Sequence, residues 1–265
     1  MAGTISAGVQ YEDRGAVALL RIDRPPLNVL DIPSIAALDA AMARAEESAA
    51  AVLVLSSAGA KAFSAGVDVK DHTPDKLESM ILGFHRLFRR LQASRLVSVA
   101  AVKGACLGGG MELALSCDLV VAEETAKFAL PEIRLACFPP VGIAVLADRY
   151  GPRLAELCLT GESIPGAEAH RRGLLSRLVP EGKAEETALE MAASMGAGSR
   201  AVLGITVRHL RRLALPHFEK SLEKAERAYL EELARTPDMD EGIRAFMEKR
   251  PPRYGSGTAA PGGAS

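Results

Sequence analysis

The stretch from residue 97 to residue 113, VSVAAVKGACLGGGMEL, constrains the fold more than any other part of the chain. It begins with a β-branched, apolar run typical of a buried strand, and the three glycines at 108–110 separate this run from good helix formers. A helix that starts at such a turn presents unpaired amides and the positive end of its dipole. Glu112 follows Gly109 by about one helical turn and can face the same pocket. The pattern predicts a site for a developing negative charge; a turn used only for packing, with a solvated glutamate behind it, is the alternative.

A second strand followed by a small-residue turn lies earlier in the chain. Residues 51–55 read AVLVL, and the sequence KAFSAGVDVK follows at 61–70. The turn in this segment also exposes main-chain amides, here around Val67. Because two separate strands are each followed by a turn of small residues, we favour a functional role for the exposed amides of these turns over a role in packing alone.

Several segments resemble one known family. FSAGVDVK at 63–70 and GACLGGGMELALSCDL at 104–119 resemble the two signature segments of the enoyl-CoA hydratase/isomerase family, the crotonase superfamily. RPPLNVL at 24–30 is similar to its entry motif, and KFALPEI at 127–133 is similar to its third active-site segment. Shorter similarities downstream are LTG at 159–161, AEA at 167–169, GLL at 173–175 and FMEKR at 246–250. The resemblance runs from about Val9 to Arg253.

The resemblance implies an α/β fold with a core of stacked β-β-α turns and a helical C-terminal region. The pattern of the chain agrees, because strand-like runs at 9–11 and 16–22 precede an amphipathic helix at 33–47, and residues after 153 read as mostly helical. We expect residues 1–195 to form the core and residues 196–254 a helical region that packs between subunits of a homotrimer or a dimer of trimers. The tail at 255–265, GSGTAAPGGAS, is expected to be disordered.

The resemblance also implies roles for individual residues. The amides of Val67 and Gly109 match the family's oxyanion hole, which holds a thioester oxygen as it becomes an enolate. Glu112 and Glu132 match the two catalytic glutamates, one taking a proton from water and the other delivering one. The substrate carries coenzyme A as its thioester part, no prosthetic group is expected, and the residues implied in binding coenzyme A are Arg24, Ala65, Val67, Asp68, Val69, Lys70, Phe246 and Lys249.

Composition excludes several other classes. A net charge of −1 gives no overall electrostatic attraction to nucleic acid or to an anionic membrane. No apolar run reaches the roughly 18 residues needed to span a bilayer, and the first ten residues, MAGTISAGVQ, lack the cationic and apolar regions of a signal peptide. A cytoplasmic enzyme is therefore expected. The four cysteines lack metal-site spacing and are interpreted as free thiols, so no metal site is expected. No nucleotide-binding glycine motif occurs, and the five scattered histidines do not indicate a hydrolase triad.

Three functions stay open at this point. Hydration of an α,β-unsaturated acyl-CoA is favoured, because both glutamates are retained. A double-bond isomerase needs only one carboxylate and is the second hypothesis. A coenzyme A-binding or RNA-binding member without activity is the third, although the sequence has no basic tract. The charged run at 219–235 is interpreted as a solvated helix face, and the apolar stripe of the helix around 77–91 as core.

One segment departs from the family pattern. Where many members carry a glycine-rich loop after the second glutamate, this chain reads LACFPPVG at 135–142. Phe138, Pro139 and Pro140 are expected to form a rigid apolar wall that favours a short or cyclic acyl group. Together with NVLDIPSIAALDAAM at 28–42 and His72, this segment resembles the cyclic dienoyl-CoA hydratases of anaerobic aromatic degradation.

Overall fold

The computed structural model describes residues 2–5 and 7–255, with side chains from residue 7 onward. The expected disorder of the tail concerns residues that, except for Gly255, lie outside this part. The strands within it are β1 (Ala2–Ile5), β2 (Val9–Arg14), β3 (Val17–Ile22), β4 (Val52–Ser57), β5 (Ala62–Ser64), β6 (Val97–Val102), β7 (Ala105–Leu107), β8 (Leu119–Glu123), β9 (Lys127–Ala129), β10 (Ser163–Pro165) and β11 (Arg177–Val179).

The α-helices of the same part include two short ones that follow each other directly around Gly151. They are α1 (Ile32–Glu47), α2 (Leu77–Ala93), α3 (Gly109–Ser116), α4 (Ala147–Tyr150), α5 (Pro152–Thr160), α6 (Gly166–Arg171), α7 (Ala184–Gly196), α8 (Arg200–Ala214), α9 (Phe218–Arg227) and α10 (Pro237–Met247). A 3-10 turn spans Pro131–Leu135, and π-helical turns span Gly142–Leu146 and Ala228–Glu232.

Two sheets form the centre of the molecule. The large sheet has the strand order β1-β2-β3-β4-β6-β8-β11, and the small sheet has the order β10-β9-β7-β5. The strands from β3 to β11 in the large sheet are parallel to their neighbours, while β1, β2 and β3 form an antiparallel meander. The chain repeatedly forms one strand in the large sheet and then one in the small sheet before it returns to the large sheet. In the repeats β4-β5-α2 and β6-β7-α3, it returns through a helix. The stacked β-β-α arrangement is thus confirmed.

The large sheet is buried on both faces, which explains its continuous apolar strands. In β4, Leu53 and Leu55 pack toward the core that also contains α1, α2 and α3. Val52 and Val54 of the same strand face the opposite core, against α7 and α8. Side chains alternate between the two sides because successive residues of a strand point to opposite faces.

The small sheet fixes the position of three functional segments. β5, β7 and β9 are parallel neighbours, so their carboxyl ends meet at the same edge. The turn that contains Val67 follows β5, the glycine turn follows β7, and the 3-10 turn that contains Glu132 follows β9. The strand order therefore brings together segments that are far apart in the sequence.

The chain after residue 153 is mostly helical, as expected, but contains two strands that the sequence analysis did not predict. β10 and β11 have three residues each, too few for a side-chain alternation to be recognised, and both pair with strands formed much earlier in the chain. Arg211 anchors α8 to the core, because its guanidinium donates to the Asp118 carboxylate at 2.6 and 2.8 Å and to the Ser94 and Leu96 carbonyls. No helix among the described residues is long and apolar enough to cross a membrane.

The close approach of α3 to β5 generates a prediction. A Cβ added at Gly110 would lie 2.4 Å from the Ser64 carbonyl oxygen, so the backbone of α3 or β5 must move to admit it. We expect Gly110→Ala to lower the free energy of unfolding by about 1–3 kcal/mol in a denaturant titration. Gly83→Ala in α2 is the control, since its nearest neighbour is 3.8 Å away and alanine is favoured in helices. Equal stability of the two variants would contradict the packing argument.

Candidate active site

A cavity of about 280 Å³ lies at the edge where β5, β7 and β9 end. One wall is the face of α2 that carries Met80, Ile81, Phe84 and His85. The opposite wall comes from the segment after β9, and Ile243 and Phe246 of α10 complete the lining. The apolar stripe of α2, interpreted as core, therefore has a second role. Ile81 and Phe84 are packed in the core and also border the cavity.

The amides of Val67 and Gly109 lie on one wall of the cavity. Leu30 N–H donates to the Gly66 carbonyl and Asp68 N–H donates to the Leu30 carbonyl, so the intervening Val67 N–H points away from Leu30. Gly109 is the first residue of α3, where an amide has no partner within the helix. Within the described residues, neither amide donates a hydrogen bond.

The two turns that carry these amides touch each other. A Cβ added at Gly66 would lie 3.2 Å from the Gly109 nitrogen, and a Cβ added at Gly109 would lie 3.1 Å from Val67 Cγ2. Gly108 has a φ of +52°, a left-handed value that favours glycine, and its amide donates to the Ala129 carbonyl at 2.9 Å. The glycine turn thus allows the turns that follow β5 and β7 to approach each other closely.

Glu112 lies in the first turn of α3 and is only 2% exposed. Its Oε1 accepts a hydrogen bond of 2.8 Å from Gly142 N–H. Burial raises the pKa of Glu112 to about 7, although the backbone donor opposes the rise. Glu112 therefore changes its protonation state near neutral pH.

Glu132 follows Pro131 in the 3-10 turn after β9 and borders the same cavity. Its Oε1 lies over Gly108, since a Cβ added there would be 2.8 Å away, and its buried Oε2 has no hydrogen-bond partner among the described residues. Burial, and then the charge of Glu112, raises the pKa of Glu132 well above its usual range. One carboxyl of the pair is held protonated while the other can ionise.

The residues predicted to bind coenzyme A divide into two groups. The structure places Ala65, Val67, Val69 and Phe246 in the lining of the cavity. Phe246 is 55% exposed and lies at the rim.

The four charged residues of that prediction, Arg24, Asp68, Lys70 and Lys249, are not part of the cavity lining. Arg24 forms an ion pair of 2.6 Å with Asp31 and borders a separate surface depression. The Asp68 carboxylate accepts from the Lys70 amide at 3.0 Å, while the Lys70 and Lys249 side chains are exposed. Their predicted role concerns groups outside the cavity.

The expected rigid wall is formed in part. Phe138 and Pro140 border the cavity, and the Phe138 ring meets Tyr229 edge-on with centroids 5.0 Å apart. Pro139 does not border it; its ring packs against Gly142, where an added Cβ would be 3.0 Å away. The expectation was therefore wrong for Pro139, because the chain turns into a π-helix at Gly142 and directs the proline inward.

Sequence reasoning missed several residues of the site. Gly142, which fixes Glu112, carried no signal because its role depends on a contact across 30 positions. The charged run at 219–235 was interpreted as solvated, but Glu226 and Tyr229 are 9% and 1% exposed. Glu226 points inward because α9 packs against α2, and Tyr229, in the π-helical turn that follows α9, reaches the cavity. His72, which the sequence analysis named, also lines the cavity, and its Nδ1 donates to the Asp68 carbonyl at 3.1 Å.

The chain matches one family model and several known proteins. The model of the family described as enoyl-CoA hydratase/isomerase matches residues 12–257. Cyclohexa-1,5-dienecarbonyl-CoA hydratase of Thauera aromatica is 38% identical over 245 residues, covering 91% of this chain and 94% of that protein. 2,3-Dehydroadipyl-CoA hydratase of Escherichia coli K12 is 36% identical, covering 90% and 94%.

The solved structures give the same result for the fold. A crystal structure of an enoyl-CoA hydratase from Mycobacterium avium subsp. paratuberculosis K-10 matches with a TM-score of 0.84 and 29% identity, covering 94% of this chain and 99% of that one. The chain belongs to the enoyl-CoA hydratase/isomerase family. The resemblance recognised in the sequence is confirmed.

Proposed function

We propose that the protein is an acyl-CoA hydratase that adds water across the double bond of an α,β-unsaturated acyl-CoA. The observation that carries the proposal is a pair of carboxyl groups that border one cavity with different pKa values: Glu112 is buried, and Glu132 is half-buried with a buried Oε2. Hydration requires a base that takes a proton from the attacking water and an acid that gives a proton to C2 of the acyl group. Two carboxyl groups with different pKa values can supply both.

The thioester carbonyl is held between the amides of Val67 and Gly109. Water attacks C3, and the π electrons move through C2 onto the carbonyl oxygen to give an enolate. Each amide that stabilises such an oxyanion typically contributes about 2.7–4 kcal/mol to the transition state. Only the backbone N–H of Val67 is needed to bind the thioester oxygen. The size of the Val67 side chain therefore does not prevent this hydrogen bond.

The two carboxyl groups then divide the proton transfers. Ionised Glu112 takes a proton from the attacking water, and protonated Glu132 delivers its proton to C2 as the enolate collapses. The new bonds are C3–O and C2–H, and a proton transfer from Glu112 to Glu132 resets the site. Each acid or base step contributes on the order of 100- to 10,000-fold to the rate.

Two other functions are less well supported. A double-bond isomerase moves one proton and needs one carboxylate, whereas this cavity buries two. A binding protein without activity gains nothing from two neighbouring carboxyl groups whose pKa values burial raises, since keeping them out of water costs stability. Both alternatives predict that one glutamate or both can be replaced without loss of function.

The coenzyme A part is proposed to leave the cavity past Ala65, Val69 and Phe246. Arg24, Asp68, Lys70 and Lys249 are proposed to meet the nucleotide outside it, with the basic side chains toward phosphates. Lys70 and Lys249 are exposed and can reorient, while Arg24 must share its guanidinium with Asp31. No prosthetic group takes part in the proposed reaction.

Replacement of the two glutamates tests the assignment. We expect Glu112→Gln and Glu132→Gln each to lower kcat for hydration by about 100-fold or more, because each removes one proton transfer. Affinity for the acyl-CoA, measured by calorimetry, should change little, since backbone amides hold the carbonyl. Glu124→Gln, at an exposed position, is the control. Wild-type turnover in either cavity variant would refute the assignment.

The acyl group is proposed to be short or cyclic, with a cyclic dienoyl group as the sharpest candidate. Phe138 and Pro140 on one side and Phe84 on the other leave a cavity of about 280 Å³ between rigid walls. Thauera aromatica's related enzyme is named for a cyclic dienoyl substrate, and the likeness covers most of both chains.

A substrate series tests the shape of the acyl pocket. We expect kcat/KM for crotonyl-CoA and for a cyclic dienoyl-CoA to exceed that for decenoyl-CoA by roughly tenfold or more, because a long straight chain clashes with the walls. The highest value with decenoyl-CoA would exclude the pocket shape proposed here. A kcat/KM for the cyclic dienoyl-CoA far below that for crotonyl-CoA would exclude only the proposal that the acyl group is a cyclic dienoyl group.

The protein is also proposed to assemble as a homotrimer or a dimer of trimers in the cytoplasm. Residues 196–254 are proposed to pack between subunits around the core of residues 1–195. The observation that supports this is the row of exposed apolar side chains on α8, namely Val202, Ile205, Leu210 and Leu213, of which Leu213 is 81% exposed. Four buried, unpaired cysteines fit a reducing compartment.

Sedimentation velocity at micromolar concentration tests the assembly. We expect a mass of three or six chains, and a shift toward smaller species for Leu213→Glu, because a charge in an apolar interface is costly. Leu159→Glu replaces an equally apolar side chain, 75% exposed on α5, and serves as the control. A monomeric wild-type protein would contradict the proposed assembly.

A further inference from the structure

The π-helical turn Gly142–Leu146 is not part of the cavity lining, but it acts on the active site. Its first residue donates its amide hydrogen to Glu112 Oε1 at 2.8 Å. Such turns are rare in general but frequent at functional sites. An element that holds this turn in place therefore also influences how Glu112 is held.

Helix α9 is one of the elements that hold this turn. It packs against the turn and also against α2, which forms one wall of the cavity, while α3 and α5 contact the turn as well. Leu222 of α9 is buried in the same core as Val145 and Leu146 of the turn. α9 therefore connects the wall of the cavity to the turn that donates to Glu112.

A buried carboxylate attaches α9 to α2. Glu226 is 9% exposed and lies one helical turn after Leu222, on the same face of α9. His85 Nδ1 lies 2.9 Å from Glu226 Oε1, and Arg89 donates to both oxygens of the same carboxylate at 2.8 and 3.1 Å. Three hydrogen bonds from two residues of α2 therefore end on one side chain of α9.

The Glu226 carboxylate is ionised at neutral pH. Burial would raise the pKa of Glu226, but the hydrogen bonds from His85 and Arg89 outweigh it and lower the pKa to about 2. An ionised carboxylate only accepts, so His85 Nδ1 carries the hydrogen. Burial lowers the pKa of His85 despite its hydrogen bond to Glu226, so its ring is neutral at neutral pH. The contact therefore combines an ion pair with a hydrogen bond from a neutral ring.

The chemistry of this contact favours a role in positioning over a role in stability alone. Apolar residues of similar volume often stabilise a buried contact as well as an ion pair does, so the ion pair by itself is weak evidence for stability. Hydrogen bonds to a carboxylate depend strongly on angle, and the bidentate pair with Arg89 adds geometric specificity. The contact therefore selects one arrangement of α9 on α2.

We propose that Glu226 is a positioning residue of the active site, which fixes α9 against α2 and thereby seats the turn whose Gly142 amide holds Glu112. The inference rests on the proposed role of Glu112 as the base that takes a proton from water. Glu226 is not part of the cavity lining, so it acts through the turn and not on the substrate.

The pKa of Glu112 reports on this contact. Burial raises it to about 7, and the hydrogen bond from Gly142 opposes the rise. A turn that is seated less firmly weakens this hydrogen bond, so the pKa should rise further. The charge of Glu112 also acts on Glu132, Cys158 and Tyr229. Burial raises the pKa of each of these groups, so Cys158 and Tyr229 stay protonated near pH 7 and do not obscure the titration of Glu112.

Glu226→Gln tests the proposal. The glutamine oxygen can still accept from His85, but its NH2 group cannot accept from Arg89. Carbon-13 NMR of the glutamate carboxyl carbons would measure the pKa of Glu112, which we expect to rise by about 0.5 or more. The pH at which kcat is half-maximal on the acidic side should rise in parallel, because hydration requires ionised Glu112.

Two further variants locate the effect. Glu219→Gln is the matched control, since Glu219 lies on the same helix and accepts from the same Arg89 at 2.7 Å, but its side chain is 54% exposed. Exposed ion pairs contribute little, so Glu112 should titrate as in the wild-type protein. Arg89→Lys keeps the positive charge but loses the bidentate arrangement on Glu226, so the pKa of Glu112 should rise in the same direction. This variant decides the question if Glu226→Gln does not fold.

The outcomes separate positioning from stability and from the proposed function. A Glu112 pKa that stays at the wild-type value in both Glu226→Gln and Arg89→Lys would overturn the proposal, even if both variants unfold at a lower temperature. A merely structural role lowers the folded fraction without changing the titration of Glu112. The NMR titration needs no turnover, so a raised pKa in a protein without hydratase activity would refute the reaction and leave the positioning role standing.

Discussion

The parallel alignment of β5, β7 and β9 is the constraint on which the candidate site depends. Three neighbouring strands with one direction place the turn at Val67, the turn at Gly109 and the turn at Glu132 along a single edge. Small residues in two of these turns permit backbone contact, as the 3.2 Å from a Cβ added at Gly66 to the Gly109 nitrogen shows. The candidate site therefore forms only when the three parallel strands pair, because no single segment contains all of its residues.

Burial of two carboxyl groups has a cost that the surrounding elements offset. α3 presents the positive end of its dipole close to Glu112, and Gly142 donates to its carboxylate. Burial and the charge of Glu112 raise the pKa of Glu132, and a backbone hydrogen bond offsets only part of this rise. The difference between the two environments creates an acid and a base from one residue type. The C-terminal helical part closes the cavity with residues such as Tyr229 and Phe246, so it belongs to the site as well as to the surface.

The sequence predicts those features that depend on local patterns. The glycine turn before Glu112 and the strand before Val67 are local patterns. The segments that resemble the family identify it and hence point to Glu132. β10 and β11 were missed because three-residue strands have no recognisable periodicity and depend on pairing with distant segments. The inward direction of Glu226 was missed because its partners lie about 140 positions earlier in the chain. The environment of a side chain, which decides its pKa, appears only when distant segments are brought together.

The protonation states of the two glutamates test the central claim most directly. Carbon-13 NMR of protein labelled at the glutamate carboxyl carbons would follow each group against pH, with Glu112→Gln and Glu132→Gln used for assignment. The account predicts one carboxyl that titrates near pH 7 and is lost in Glu112→Gln, and a second that stays protonated at neutral pH and is lost in Glu132→Gln. Two carboxyl groups that both titrate near the ordinary value of 4.5 would contradict it.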